Sequence, residues 1–162
     1  MNDLLLAQAR DLVLLEGWLL DCREWDEWLD LYSPKAVYWL PCWIDEDTIT
    51  ADPQREMSLI YYANRTGLED RIFRIRTEQS LASMPLPRTC HMTSVIRAVS
   101  TEDGIRVDSN WVVHSYRLEK ANSFFGQQTH VIEVTSAGLK IRSRKVILAN
   151  DVIPNVLDIY SV

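Results

Sequence analysis

The sequence predicts an α+β domain in which N-terminal helices pack in a curved, mainly antiparallel β-sheet. Apolar residues recur at helical spacing in the first third of the chain, whereas the second half consists of long segments rich in Val, Ile, Thr, Trp and Tyr. The length of 162 residues, with 47% hydrophobic and 25% charged residues and no repeat or linker, predicts one domain spanning residues 1–162.

Three helices are expected. The first carries an apolar stripe at helical spacing, with Glu16 assigned to the opposite, polar side; the stripe consists of Leu4, Leu5, Leu12, Leu15, Leu19 and Cys22. A short second helix has Trp25 and Trp28 on one face and is predicted to end at Ser33-Pro34, because proline disfavours helical backbone in the residue before it. The third helix, residues 66–77, places Leu68, Ile72 and Ile75 on one face.

The remaining segments are predicted to be strands, at residues 36–43, 57–62, 88–100, 105–118, 129–135 and 138–149. Residues 102–104 and 136–138 are suited to hairpin turns because each ends in a glycine. Residues 121–127 are predicted to form a longer turn. In the last strand, Leu139 and Ile141 are assigned to one face, and Lys140, Arg142 and Arg144 to the other.

Composition points to a protein partner. The chain has six Trp and six Tyr beside three Phe, and amphipathic rings are common where one end is packed and the other meets water or a partner. Trp18, Trp25 and Trp28 fall at helical spacing and are predicted to be core residues, while Trp111 is left unassigned. The formal net charge of −6 argues against nucleic acid and anionic membrane as partners.

The cysteines and the N-terminal segment predict a cytoplasmic chain with reduced thiols. Cys22, Cys42 and Cys90 are odd in number and widely spaced, which implies no disulfide framework. Residues 1–15 lack the basic and apolar regions of a signal peptide, and the apolar run 12–20 is too short to span a bilayer.

No catalytic or metal-binding motif stands out. Cys90 and His91 are adjacent, but no second Cys and His pair exists to complete a Rieske ligand set, and the spacing of His91, His114 and His130 does not indicate a common iron site. Neither a nucleophile elbow nor a phosphate loop is present. One alternative is a stand-alone small enzyme or ligand-binding domain with an isomerase- or dehydratase-like pocket, whose candidate groups are Asp30, Tyr32 and His114.

Four segments resemble a known family. The helix-to-strand junction LYSPKAVYWLP at residues 31–41 is similar to that of the small (β) subunits of aromatic-ring-hydroxylating Rieske oxygenases. SLIYY at 58–62, GLEDRIFR at 67–74 and RTCHMTSV at 88–95 extend the resemblance over nearly the whole chain. Cys90 departs from the family's pattern, which has arginine there. The motif YWLPCW and the acidic loop after it resemble the benzoate, anthranilate and salicylate branch.

The resemblance implies a cone-shaped fold like nuclear transport factor 2 and cystatin. It implies a structural, non-catalytic role for this chain, which would hold no cofactor itself, in an α3β3 or related assembly that hydroxylates an aromatic carboxylate. The large (α) subunit would carry a [2Fe-2S] Rieske cluster and a mononuclear iron, supplied with electrons from NAD(P)H by a reductase, with or without a ferredoxin. Aromatic and arginine side chains are favoured in buried interfaces, and the candidate contact residues are Trp39, Trp43, Tyr61, Tyr62, Arg71, Arg74, Arg88 and His91.

Overall fold

The computed structural model describes residues 3–78, 84–154 and 156–162, and these form three α-helices, six β-strands and a final 3₁₀ turn. The helices are α1 (Asp3–Cys22), α2 (Trp25–Asp30) and α3 (Thr66–Arg76). The strands are β1 (Tyr32–Pro41), β2 (Ser58–Tyr62), β3 (Arg88–Thr101), β4 (Gly104–Arg117), β5 (Lys120–Thr135) and β6 (Gly138–Leu148), and the 3₁₀ turn is Ile159–Ser161.

The strands form one sheet in the order β2-β1-β6-β5-β4-β3. All neighbours are antiparallel except β1 and β6, which run parallel. The predicted α+β class and mainly antiparallel sheet are therefore confirmed. Strands β3 to β6 follow one another as a meander of long hairpins, and the helices pack on one face of the sheet. The opposite face, which we call the open face, carries none of the three helices.

The predicted long turn at residues 121–127 is wrong, because β5 already begins at Lys120. The chain reverses instead at Leu118 and Glu119, which both have positive φ, of 48° and 62°. A two-residue hairpin turn requires this backbone conformation, and it is usually supplied by Asn or Gly. Because neither residue type is present here, the local sequence gave no turn signal.

The second helix ends at Asp30 and β1 begins at Tyr32, so the predicted helix end at Ser33-Pro34 is wrong. Proline cannot donate a ladder hydrogen bond and is tolerated in a strand at irregular positions. Pro34 lies where the register between β1 and β6 is interrupted, between Tyr32 and Val37. The register break thus accommodates Pro34 inside the strand.

The predicted apolar stripe of α1 is only half correct. Leu12 and Leu19 are buried, but Leu4, Leu15 and Cys22 are exposed. Glu16, assigned to the polar side, is 2% exposed. The helix is apolar on two sides, and periodicity alone does not say which side meets the sheet. The buried side consists of Ala9, Leu12, Val13, Glu16, Gly17, Leu19 and Leu20.

The division of the tryptophans between core and surface differs from the prediction. Trp25 and Trp28 are buried as predicted, and Trp111 is also buried, with its indole N–H donating to the carbonyl of Gln127 at 3.1 Å. Trp18 is 65% exposed, so its assignment to the core is wrong. It lies on the outward side of α1 with Leu14 and Leu15, which are 46% and 44% exposed.

Candidate subunit interface

Two of the eight candidate contact residues lie side by side on the open face. Trp39 and Tyr61 are register partners between β1 and β2. The indole N–H of Trp39 donates to Ser58 Oγ at 2.9 Å, and Lys145 Nζ lies 4.5 Å from the ring centroid. These contacts hold the Trp39 ring in place while part of it stays accessible. Both residues are therefore available to a partner that covers the open face.

Trp43 and Arg88 lie elsewhere. Trp43 follows β1, and its indole N–H donates to the Leu148 carbonyl at 2.6 Å. This hydrogen bond holds the ring against the end of β6, and the side chain remains 39% exposed. Arg88 begins β3 on the open face, where its guanidinium lies 5.2 Å from the centroid of the Tyr116 ring. Arg88 is remote from the Trp39 and Tyr61 pair, because β3 and β2 are the opposite edges of the sheet.

Tyr62, Arg71 and Arg74 lie around α3 on the helical side. Tyr62 packs beside Tyr38, with ring centroids 6.3 Å apart. Arg71 forms a bidentate pair with Asp158, which is 2% exposed and caps the final 3₁₀ turn. This hydrogen-bonded pairing raises the pKa of Arg71. Arg71 therefore anchors the C-terminal segment, whereas Arg74 is exposed.

His91, the last of the eight, belongs to a cluster that fixes α1 to β3. His91 Nδ1 lies 2.5 Å from Asp21 Oδ1, and its backbone N–H donates to Asp21 Oδ2 at 2.8 Å. Thr89 Oγ1 donates to the same carboxylate at 2.7 Å. Although burial raises the pKa of Asp21, these hydrogen bonds outweigh it and lower that pKa. A Cβ at Gly17 would lie 2.7 Å from His91 Cβ, so glycine permits this close approach of helix and strand.

The eight residues thus do not form one contiguous surface. Thr89 and His91 are two positions apart on β3, so their side chains point to the same face of the sheet, the one that meets the helices. This spacing is the signal from which their common orientation could have been inferred. Their partner Asp21 is far away in sequence and carries no such signal.

A polar cluster lies buried between α1 and the sheet, and sequence reasoning missed it. Glu16 Oε1 accepts hydrogen bonds from the Tyr32 hydroxyl and, at 3.0 Å, from Arg144 Nη1. Glu16 Oε2 accepts from His130 Nε2 at 2.8 Å. The Arg144 guanidinium also contacts the Tyr38 hydroxyl at 3.2 Å and donates to Gln128 Oε1 at 2.8 and 3.1 Å. We call these six side chains the cone network.

Arg144 enters the cone network because β6 contains a bulge. Ile132 pairs with Ile141 and Val131 with Ser143, which leaves Arg142 as an extra residue. The bulge reverses the alternation, so Arg144 lies on the buried face with Ile141 rather than on the face of Lys140. The predicted assignment of Arg144 to the exposed face is therefore wrong.

Charges in the cone network are matched. Burial raises the pKa of Glu16, but Arg144 and His130 outweigh it and lower that pKa to about 2. Burial lowers the pKa of His130, against the opposing effect of Glu16. His130 is therefore neutral and donates from Nε2, and within the described chain its buried Nδ1 has no hydrogen-bond partner. A proton added to Nδ1 would place an unpaired N–H in the core.

We expect His130 to make the chain sensitive to mild acid. Its folded-state pKa lies below the ordinary 6.5, so the unfolded chain binds a proton below pH 6.5 that the folded chain excludes. Stability should fall as the pH decreases from 7 to 5, by at most about 1.4 kcal/mol per pH unit from this group. Urea unfolding at several pH values measures this. In His130→Gln, whose amide nitrogen keeps a donor near Glu16, the slope should flatten; an unchanged slope would contradict the assignment.

The candidate groups of the stand-alone enzyme do not come together. Tyr32 is buried in the cone network, whereas His114 is exposed on the open face. Asp30 is exposed at the end of α2, where its carbonyl oxygen accepts from Lys140. The three candidate groups of this alternative hypothesis therefore do not form a shared site.

Ligands for a Rieske cluster or an iron also do not converge. Across residues 3–78, 84–154 and 156–162, no three His, Cys, Asp or Glu side chains form a group that could hold a metal ion. His91 and His130 lie on the helical side in separate clusters, and His114 lies on the open face. This donor arrangement does not fit either metal centre. In the part of the chain that is described, no helix is long and apolar enough to cross a membrane.

Large apolar side chains are exposed in two further regions. The outward side of α1 exposes Leu14, Leu15 and Trp18. On the open face, Met92, Val112 and Phe125 form a row across β3, β4 and β5, in which Met92 and Phe125 are 54% and 51% exposed. Contiguous exposed apolar groups of this kind are typical of surfaces that contact another protein.

Known proteins resemble this chain in sequence and in fold. The small subunit of 2-halobenzoate 1,2-dioxygenase from Burkholderia cepacia is 46% identical over 151 residues, covering 93% of this chain and 92% of that protein. The β subunit of benzoate 1,2-dioxygenase from Acinetobacter baylyi is 42% identical over 164 residues, covering 100% and 96%. The crystal structure of the benzoate 1,2-dioxygenase β subunit from Burkholderia mallei superposes with a TM-score of 0.79 at 40% identity, covering 96% of each chain.

The predicted cone is confirmed by a distant structure. An NTF2-like protein with a cystatin-like fold from Novosphingobium aromaticivorans has a TM-score of 0.60 at 14% identity, covering 89% of this chain and 81% of the other. The family model described as "Ring hydroxylating beta subunit" matches residues 16–155. With a match over most of its length and relatives above 40% identity, this chain belongs to the ring-hydroxylating β-subunit family.

Proposed function

We propose that this chain is the structural, non-catalytic small subunit of a multicomponent oxygenase that hydroxylates an aromatic carboxylate. The observation that carries the proposal is the similarity, over nearly full length, to small subunits named for 2-halobenzoate and benzoate dioxygenases. Both names denote a carboxylate on an aromatic ring. The enzyme would be an oxidoreductase, and salicylate and anthranilate remain within the same substrate class.

The internal polar groups support a structural role. The Glu16 carboxylate and the Arg144 guanidinium are fully engaged with partners from α1, β1, β5 and β6. Both side chains are almost completely buried, at 2% and 4% exposure. Groups so enclosed and paired join the helix to the sheet, so neither Glu16 nor Arg144 is available as a free acid or base.

The chemistry would lie in the large subunit, which would hold the Rieske cluster and the mononuclear iron. Electrons from NAD(P)H would reach it through a reductase, with or without a ferredoxin. This chain would brace three large subunits in an α3β3 assembly in the cytoplasm. Its contact residues would include Trp39, Tyr61 and the exposed apolar side chains of α1 and the open face, with Trp43, Tyr62, Arg71, Arg74, Arg88 and His91 as further candidates.

Co-expression with a large subunit tests this proposal. We expect the chain purified alone to be colourless and the co-purified complex to be brown, with a light-scattering mass that contains both chains in equal number. With the reductase and NADH, oxygen consumption on benzoate or 2-halobenzoate should require the large subunit. The proposal is wrong if the chain does not join the large subunit, or if it alone catalyses an isomerisation or dehydration.

A further inference from the structure

An apolar groove lies beyond the end of β1, on a part of the chain that the cone network does not reach. It has a volume of about 630 Å³ and walls formed by Trp43, Ile44, Met57, Leu59 and Ile153. Ile44 and Met57 are 59% and 78% exposed. Apolar side chains that are exposed together along one groove, unlike those scattered singly over a surface, are typical of sites that contact another molecule.

Hydrogen bonds hold the walls of the groove in place. The Ile44 N–H donates to the Thr48 carbonyl at 2.8 Å, and the Thr50 N–H donates to the Cys42 carbonyl at 2.8 Å. The Asp45 carboxylate accepts from the backbone N–H groups of Asp47 and Thr48 at 2.9 and 2.7 Å. Ile44 is therefore presented on a folded loop, so little conformational entropy is lost when a partner covers it.

The rim of the groove is strongly acidic. Two carboxylates, Glu56 and Asp151, line the groove itself. The loop at residues 42–57, which forms one side of the groove, has four further carboxylates and a single basic residue, Arg55. Backbone hydrogen bonds lower the pKa of Asp45 and of Glu56, so both stay ionised at neutral pH. A partner seated here must combine an apolar side chain with positive charge at its flanks.

The requirement for positive charge favours one of two possible occupants of the groove, the large subunit, over a second copy of this chain. A second copy of this chain would bring a formal net charge of −6 to an already negative rim. The large subunit, by contrast, is the partner that the proposed function requires. We propose that this acidic-rimmed groove seats a segment of the large subunit that presents an apolar side chain flanked by Lys or Arg residues. The inference rests on the proposed function and specifies one of its contact surfaces.

Binding of the chain to immobilised, purified large subunit tests the inference by biolayer interferometry. Ile44→Asp and Met57→Asp each place a charge in the groove at an exposed position, and a thermal unfolding curve verifies that each variant is folded. We expect about thirtyfold weaker binding, the effect of losing a residue central to an interface. The matched control is Phe73→Asp, at a 62% exposed apolar position on α3 outside the groove, which should change the affinity less than about twofold.

A double variant tests the charge of the rim. Glu46→Gln combined with Asp47→Asn should slow association and reduce its dependence on salt between 50 and 300 mM NaCl, because rim charges act mainly on the association rate. A salt dependence equal to that of the wild type would contradict the requirement for positive flanks.

The outcomes distinguish a failure of the groove inference from a failure of the proposed function. If the wild-type chain binds the large subunit and Ile44→Asp binds equally well, the groove is not the contact, although the proposed function stands. An equal loss in Phe73→Asp would also overturn the inference. If Ile44→Asp abolishes self-association of the isolated chain but not binding to the large subunit, the occupant is a second copy. Absence of any wild-type binding would overturn both proposals.

Discussion

Replacing Glu16 with alanine should lower the free energy of unfolding by about 3–5 kcal/mol, because it leaves the Arg144 charge buried without its carboxylate. Domains of this size are stable by about 5–15 kcal/mol, so the variant would lose a large part of its stability. Tyr32 and His130 would lose their acceptor at the same time. Urea unfolding at pH 7, followed by tryptophan fluorescence, measures the effect.

The double variant Glu16→Leu/Arg144→Met provides the control. Apolar replacement of both charges removes the unpaired ion, and such replacements in other proteins have been neutral or stabilising. Because Tyr32 and His130 still lack an acceptor, we expect partial recovery, with a coupling energy of at least about 1 kcal/mol. If the losses of the single variants Glu16→Leu and Arg144→Met simply add in the double variant, Glu16 and Arg144 do not act as a pair.

Replacing Trp28 with alanine should cost about 3–5 kcal/mol, since it removes a fully buried indole and leaves a cavity. The ring lies between α2 and the start of β1, with its centroid 4.9 Å from that of Tyr32. Its loss would therefore loosen the packing against the cone network as well. The measurement is the same unfolding experiment, with near-ultraviolet circular dichroism reporting on the aromatic packing.

Trp28→Phe distinguishes the contribution of ring packing from that of the indole N–H. Within the described residues the indole N–H of Trp28 has no acceptor, so phenylalanine removes an unsatisfied donor while keeping most of the ring. We expect less than half the loss seen in Trp28→Ala. Equal losses in the two variants would show that filling the cavity is not what stabilises this site. Trp18→Ala, at an exposed position, should have an effect within about 0.5 kcal/mol on the isolated chain.

Much of the fold could be predicted from local pattern. The α3 helix and the strands β2, β3, β4 and β6 lie within a few residues of their predicted positions. The helix has a clear apolar period of 3.6, and the strands are short apolar runs or segments rich in β-branched and aromatic residues. Less of the candidate site could be predicted. Aromatic and arginine content indicated a partner, but the eight residues chosen from it lie on several surfaces, since composition contains no information about which face a side chain occupies.

The errors on α1 have a common physical cause. Trp18 and Leu15 are apolar yet exposed, and Glu16 between them is charged yet buried. When a chain is considered without partners, every apolar stripe is interpreted as part of its core. A subunit whose surface contacts another protein has apolar residues on both its core and its contact faces, so the pattern cannot distinguish them.

The sequence by itself determined the α+β class and the family to which the chain belongs, because these depend on periodicity and on contiguous motifs. Only the tertiary structure decided which side of α1 meets the sheet, and that Arg144 turns inward. Both depend on long-range contacts: the bulge in β6 sets the orientation of Arg144, and Glu16 meets it across 128 positions of the chain. Pairings at such distances leave no local trace in the sequence, which is why the buried charges and the exposed tryptophan became visible only in the folded chain.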